Sequence, residues 1–153
     1  MPDLLLFALG EHRFAVPASA VVEVVRVVAS AALPGAPAIV EGVINVRGTL
    51  VPVLDVRTRF ALASRPVDPD QHLIVAHAGG RLVALRVDRA LDLVSVAENA
   101  VEPVEHVAPG TPLVGGVARL PDGVLVIHDL DRFLALDEAA QLDATIGVAV
   151  EVA

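Results

Sequence analysis

Arg47 and Gly48 stand between two apolar runs, Gly42-Val43-Ile44-Asn45-Val46 and Thr49-Leu50-Val51-Pro52-Val53-Leu54-Asp55. A guanidinium offers a planar fork of donors that fits a carboxylate or backbone carbonyls. At a hairpin tip it can reach a partner, and equally it can pair with a local acid. No nucleophile or base accompanies it, so the chemistry on offer is recognition. His128-Asp129 with Asp131 is the other arrangement with reactive side chains, an imidazole near two carboxylates that could shuttle a proton. An Asp at that place also reads as the N-cap of a helix after a strand, which accounts for Asp129 without catalysis. Five His residues raise the question of a metal. His72 and His77 fall on opposite faces of a regular strand, and His12 and His106 lie in loops, so exposed or hydrogen-bonded imidazoles are expected. The patterns G-x-S-x-G, G-x-x-x-x-G-K and G-x-G-x-x-G are absent. The residues therefore predict no catalytic group, no metal and no cofactor.

The elements that must hold these side chains are mostly strands. Leu4–Leu9 and Arg13–Val16 flank a Gly10-Glu11-His12 connection. Val21–Val27 is β-branched enough to be a strand. The Gly42–Leu54 stretch reads as a hairpin around Arg47-Gly48, with Gly48 suited to positive φ or to a place with no room for Cβ. Ala38–Glu41 reads as a single helical turn before it. Asp55 caps a short helix running to Phe60. Ala63–Gln71 is polar and Pro-bearing and reads as a linker. Beyond it, His72–His77 and Arg81–Val87 form strands around Ala78-Gly79-Gly80, and Ala90–Val96 is apolar. Val114–Leu120 and Val124–His128 flank Pro121-Asp122-Gly123, a turn signal. Gly115-Gly116 reads as a bulge. Asp129–Leu134 is a second Asp-started helix, Ala135–Leu142 is helix-prone, and Ile146–Val152 alternates weakly.

That order is an internal repeat. Gly42-Val43, Gly48, Asp55 and Phe60 match Gly116-Val117, Gly123, Asp129 and Phe133, and the hairpins Leu9–Val16 and His77–Leu85 echo each other with Arg13 and Arg81. Two β-rich halves, each marginal alone, predict two small barrels that share a core.

With 153 residues, 55% of them hydrophobic, the chain has enough apolar material for one sizeable domain and none of the profile of disorder. All 11 basic residues are Arg, and 19 acidic residues give a net charge of −8. That balance argues against nucleic acid and against an anionic membrane surface as partners. No Cys is present, so disulfides and thiolate chemistry are excluded. No uncharged apolar run reaches ~18 residues. Asp3 stands where a signal peptide needs positive charge. A soluble, unsecreted protein without membrane insertion is expected.

These residues resemble the CheW-like domain of bacterial chemotaxis coupling proteins. The resemblance runs through Phe7-x-Leu9-Gly10, Phe14-Ala15-Val16, Val21-Val22-Glu23-Val24, Leu33-Pro34-x-x-Pro37, Gly42–Gly48, Val51–Asp55, Val87-Asp88 with Val94, and Asp129-Leu130. The Asn-x-Arg-Gly hairpin with x-V-P-x-x-D behind it is the most specific part. The resemblance implies an all-β fold with short helices, two five-stranded SH3-like β-barrels packed side by side. Approximate subdomains would be 10–62 and 63–136, with strand 3–9 pairing with either and a C-terminal helix or tail over 137–153. It implies a non-enzymatic adaptor that links the cytoplasmic tips of methyl-accepting chemoreceptors to the regulatory domain of a CheA-type histidine kinase. The chain would then be cytoplasmic, held at receptor arrays through its partners, with self-association in the array allowed. Val21, Glu23, Asn45, Arg47, Leu73 and Val87 would face the receptor, and Gly42, Val43, Gly48 and Thr49 the kinase. The chain departs from the family at Ala84, where Gly is common, at Arg86, where the family is usually apolar, and at His72 and Ala90, which replace aliphatic residues. The competing reading is a small β-barrel enzyme or ligand-binding module with its site near His128 and Asp129.

Overall fold

Strand β1 (Asp3–Leu9) is apolar at nearly every position because both of its faces are covered. Side chains alternate across a strand, so Leu4 and Leu6 enter one core while Leu5, Phe7 and Leu9 enter another. The computed structural model describes residues 3–60, 62–102, 114–120, 123–128 and 142. The elements after β1 are β2 (His12–Pro17), a 3-10 turn (Ala18–Ala20), β3 (Val21–Arg26), β4 (Val40–Val46), β5 (Thr49–Asp55) and α1 (Val56–Arg59). Then come β6 (His72–Ala78), β7 (Arg81–Val87), β8 (Arg89–Ser95), a 3-10 turn (Glu98–Ala100), β9 (Val101–Glu102), β10 (Val114–Leu120) and β11 (Gly123–His128).

The strands form two sheets, in the order β8-β1-β2-β11-β10-β9 for the first and β3-β6-β7-β5-β4 for the second. The all-β expectation holds, and each sheet has five long strands, the two-residue β9 being a sixth in the first. Both follow one plan. A hairpin (β1–β2 or β6–β7) pairs in parallel with the second strand of another hairpin (β10–β11 or β4–β5), and a fifth strand (β8 or β3) flanks it.

Sheet membership corrects the sequential division at residues 62 and 63. The second sheet is continuous in sequence from β3 to β7, whereas the first joins β1–β2 to β8–β11. The N-terminal hairpin has crossed to the far half. Leu5, Phe7, Leu9 and Val16 of the first sheet meet Leu54, Ile74, Val83, Leu85 and Val87 of the second in one shared core. Phe14 stacks on Phe60 across it, ring centroids 5.6 Å apart. Each fully buried aliphatic or aromatic side chain there contributes about 1.5–3 kcal/mol. The expected common apolar interface is thus the largest core. Separate cores lie within the first sheet (Leu4, Leu6, Ala15, Ala118, Leu125, Ile127) and the second (Ile44, Val51, Val53, Leu73, Val75, Ala84).

The ends of the second sheet's strand order meet. Ala31, beyond β3, bridges Val43 on β4 with backbone hydrogen bonds of 2.8 and 2.9 Å. In the first sheet β9 does the same, pairing Glu102 with Val117 and Val101 with Ala118. Asp55 caps α1, accepting from the Thr58 N–H. The glycine pairs also behave as read: Gly79 and Gly80 turn with φ of 58° and 82°, and Gly115 is the extra residue of a bulge. Residues 38–39 form a hydrogen-bonded turn in place of the expected helical turn. The Asp129–Leu134 helix, Ile146–Val152 and most of Ala135–Leu142 lie outside the described residues; Leu142 is buried.

Candidate protein-interaction site

In the β4–β5 hairpin, Val46 faces Thr49, which leaves Arg47-Gly48 as a two-residue turn. Both have positive φ, 51° and 86°, as a type I′ hairpin turn requires. A Cβ on Gly48 would meet nothing within 4 Å, so glycine is there for its conformation and not for space. Asn45 Oδ1 accepts the Gly48 N–H at 2.7 Å and locks the turn. Arg47 is the sole non-glycine with positive φ among the described residues. The left-handed conformation costs an L-residue about 1–2 kcal/mol. Its side chain is 74% exposed and donates from Nη2 to Glu23 Oε2 at 2.8 Å. An ion pair this exposed contributes at most ~1 kcal/mol. Stability alone therefore does not account for an arginine here.

Glu23 lies on β3, at the opposite end of the strand order, so the Arg47–Glu23 pair spans the seam where the second sheet closes. Val21 is half-buried against the shared core. Gly48 and Thr49 are exposed, and Val43 is half-buried. Three expected contact residues are placed differently. Leu73 is fully buried inside the second sheet and Val87 within the shared core, because β6 and β7 are covered on both faces. Gly42 is buried too. A Cβ there would sit 2.6 Å from Ser30 Oγ and closer still to the Ala31 carbonyl oxygen. Gly42 thus makes room for the closing segment. Among the described residues, the large aliphatic groups that reach solvent are Val22 and Val24 on β3, Leu50 on β5, Leu91 and Leu93 on β8, and Val28 and Val67 between strands. The sequence of Val21–Arg26 puts two Val and one charged residue on each face, so it did not indicate that Val22 and Val24 are the exposed pair.

Sequence reasoning also missed two buried polar clusters. Arg86, on β7, is 6% exposed. Its guanidinium pairs with Glu41 and also donates to Gln71 Oε1 (3.0 Å) and the Arg65 (2.8 Å) and Pro66 (3.4 Å) carbonyls. The hydrogen bond to Glu41 holds it charged despite burial. The Ala63–Gln71 linker is therefore tied down. Asp55 accepts from Ser64 Oγ (2.6 Å) and Thr58 Oγ1 (2.7 Å). Burial pushes its carboxyl upward, but these hydrogen bonds outweigh burial and hold it below the usual carboxylate range. Asp88 behaves likewise: burial opposes ionisation, and hydrogen bonds from Arg57 and the Gly10 N–H overcome it.

His72 Nδ1 accepts the Ala90 N–H at 3.1 Å, so two of the departures from the family pattern meet at one hydrogen bond between the sheets. Among the described residues no cluster of three or more His, Asp or Glu is placed to hold a metal. His128 ends β11, and Asp129 and Asp131 lie outside the described residues. No helix among the described residues is long and apolar enough to cross a membrane.

The family profile described as the CheW-like domain matches residues 3–141. The chain belongs to the CheW-like domain family. Its CheW-like relatives include the chemotaxis protein CheW of Klebsiella aerogenes, 27% identical over 92% of this chain and 86% of that protein. Another is the chemotaxis protein CheW of Rhizobium meliloti, 28% identical over 89% of each. Among solved structures, the scaffolding protein TtCheW of Thermoanaerobacter tengcongensis superposes with a TM-score of 0.82 at 30% identity, covering 90% of this chain and 96% of that one. The two-sheet CheW-like architecture is common to both.

Proposed function

We propose that this chain is a non-enzymatic chemotaxis coupling adaptor. It bridges the cytoplasmic tips of methyl-accepting chemoreceptors and a CheA-type histidine kinase, and works at the cytoplasmic face of receptor arrays. One observation carries the reading: Arg47 is held in a left-handed conformation at an exposed hairpin tip and oriented by Glu23 across the seam. A backbone kept in a costly conformation at a surface points to use of its side chain. The kinship with chemotaxis and scaffolding proteins supports the same reading.

The receptor surface then comprises Glu23, Asn45 and Arg47 with the edge of Val21. Val22 and Val24, exposed on β3, take the place expected of Leu73 and Val87, which are buried. Val43, Gly48 and Thr49 face the kinase. An interfacial Arg left without its partner costs about 2 kcal/mol or more of binding. Co-sedimentation of the purified chain with receptor fragments and kinase tests this. Arg47→Glu should reduce recovery in the pellet with an unchanged melting temperature. Wild-type protein that stays in the supernatant with both partners present would overturn the reading.

A further inference from the structure

β7 ends at Val87 and β8 begins at Arg89, so Asp88 is the single residue by which the chain passes from the second sheet to the first. Its N–H donates to the Ala8 carbonyl on β1 at 3.1 Å. Its carboxylate gathers donors from three segments. The Gly10 N–H, in the β1–β2 turn, lies 2.5 Å from Oδ2. Arg57, on α1, donates from Nε at 3.2 Å and from Nη2 at 2.6 Å. Arg65, in the connection after α1, lies 3.1 Å from Oδ2. Gly10 belongs to the first sheet, whereas Arg57 and Arg65 follow the second. A Cβ on Gly10 would lie 3.3 Å from Arg57 Nη2, so turn and guanidinium touch at the same joint.

The other crossover, from β2 to β3, is built differently. It passes through Pro17-Ala18-Ser19-Ala20, and the residue corresponding to Asp88 is Ser19, which is exposed. Among the described residues, the crossover at Asp88 is clamped by a carboxylate and the one at Ser19 is not. Elsewhere the contact between them is mostly apolar and non-directional, which resists separation more than it resists a change of angle.

We propose that Asp88 is a positioning residue that sets the angle between the two sheets, and through that angle how the exposed Leu91 and Leu93 of the first sheet stand to the Arg47 surface of the second for a partner that touches both. The second half rests on the coupling reading above; the first does not. A charge-assisted bond from each side defines direction in a way that aliphatic packing does not.

The absence of cysteine makes a clean distance measurement possible. Leu50→Cys and Leu93→Cys, exposed residues on different sheets, take spin labels with no background. With Asp88 intact, one narrow distance distribution is expected. Asp88→Asn keeps the shape and loses the charge, and should broaden or displace the distribution while strand content is retained. Arg65→Gln removes the outer, half-exposed cation and should give a smaller change in the same direction. An unchanged distribution in folded Asp88→Asn overturns the proposal. If Asp88→Asn fails to fold, an unchanged distribution in Arg65→Gln overturns it instead, and broadening supports it. Receptor co-sedimentation of unlabelled Asp88→Asn should fall several-fold. Arg47→Glu should lose binding with its distances unaltered. Altered distances with binding retained would leave the clamp standing and remove its link to the partner.

Discussion

Leu4 faces Pro17 across β1 and β2, and Leu73 faces Arg86 across β6 and β7. These are the same position in the two sheets. The hairpins that complete them correspond as closely, since Val40 faces Leu54 and Gly42 faces Val53 where Val114 faces His128 and Gly116 faces Ile127. The residue left over in the first of these bulges is Glu41, and in the second it is Gly115. So the sheet that carries Arg86 carries its acid in the bulge, and the sheet with Pro17 carries a glycine there. The ion pair is present whole in one half and absent whole in the other. One strand plan tolerates either, and a buried charge is kept only where its partner and the Arg65 and Pro66 carbonyls come with it.

Breaking that pair should have the largest effect. Arg86→Met leaves Glu41 without its cation and takes from Gln71 Oε1 one of its two donors, the Asp68 N–H remaining, and about 3 kcal/mol of stability should go. Adding Glu41→Ala should recover much of it, making the half resemble its apolar counterpart. Urea midpoints of the two singles and the double mutant measure this. Strictly additive losses would mean that the two residues act separately.

Closure of the second sheet is tested next. Gly42→Ala forces a methyl group against Ser30 and Ala31 and should cost about 1–3 kcal/mol. Gly48→Ala, with open space but a positive φ, should cost about 1–2 kcal/mol. If thermal melts show Gly42→Ala to be neutral, the seam yields and Gly42 has another use.

The carboxylates give a pH signature. Asp55 and Asp88 are held below the usual range in the folded chain, so the folded state binds fewer protons than the unfolded one. Their stabilisation is complete above the ordinary carboxylate pKa of about 4, and is lost as pH falls through the folded-state values. Acid unfolding monitored by circular dichroism should be less steep in Asp55→Asn and Asp88→Asn than in the parent.

The smallest change in stability is expected at Arg47. Asn adopts positive φ more readily than Arg. Arg47→Asn should therefore leave the melting temperature unchanged or raise stability by ~0.5 kcal/mol, while receptor co-sedimentation declines. Reduced stability with binding intact would make Arg47 a structural turn residue, worth no more than its pairing with Glu23.

Features that depend on near neighbours in the chain were legible in the sequence. Gly48 and Gly79-Gly80 turn because glycine takes positive φ freely, and Asn45, three residues before Gly48, locks the first of these turns. Asp55 caps a helix whose first N–H groups are three residues away, and Gly115 marks a bulge. The repeat was legible too, as was family membership through the Asn-x-Arg-Gly hairpin. Its finer alignment was not: Gly123 corresponds to Thr49, and Arg81 to His12, once the strands are paired. Only the tertiary structure decided that the N-terminal hairpin joins the far sheet. The same holds for Leu73 and Val87, which are interior, and for Arg86, which finds Glu41. An apolar strand carries the same letters whether one face or both are covered. A lone charge in such a strand does not name its partner. Those outcomes depend on which distant surfaces meet, and the energy that decides them comes from burial shared between segments far apart in the chain.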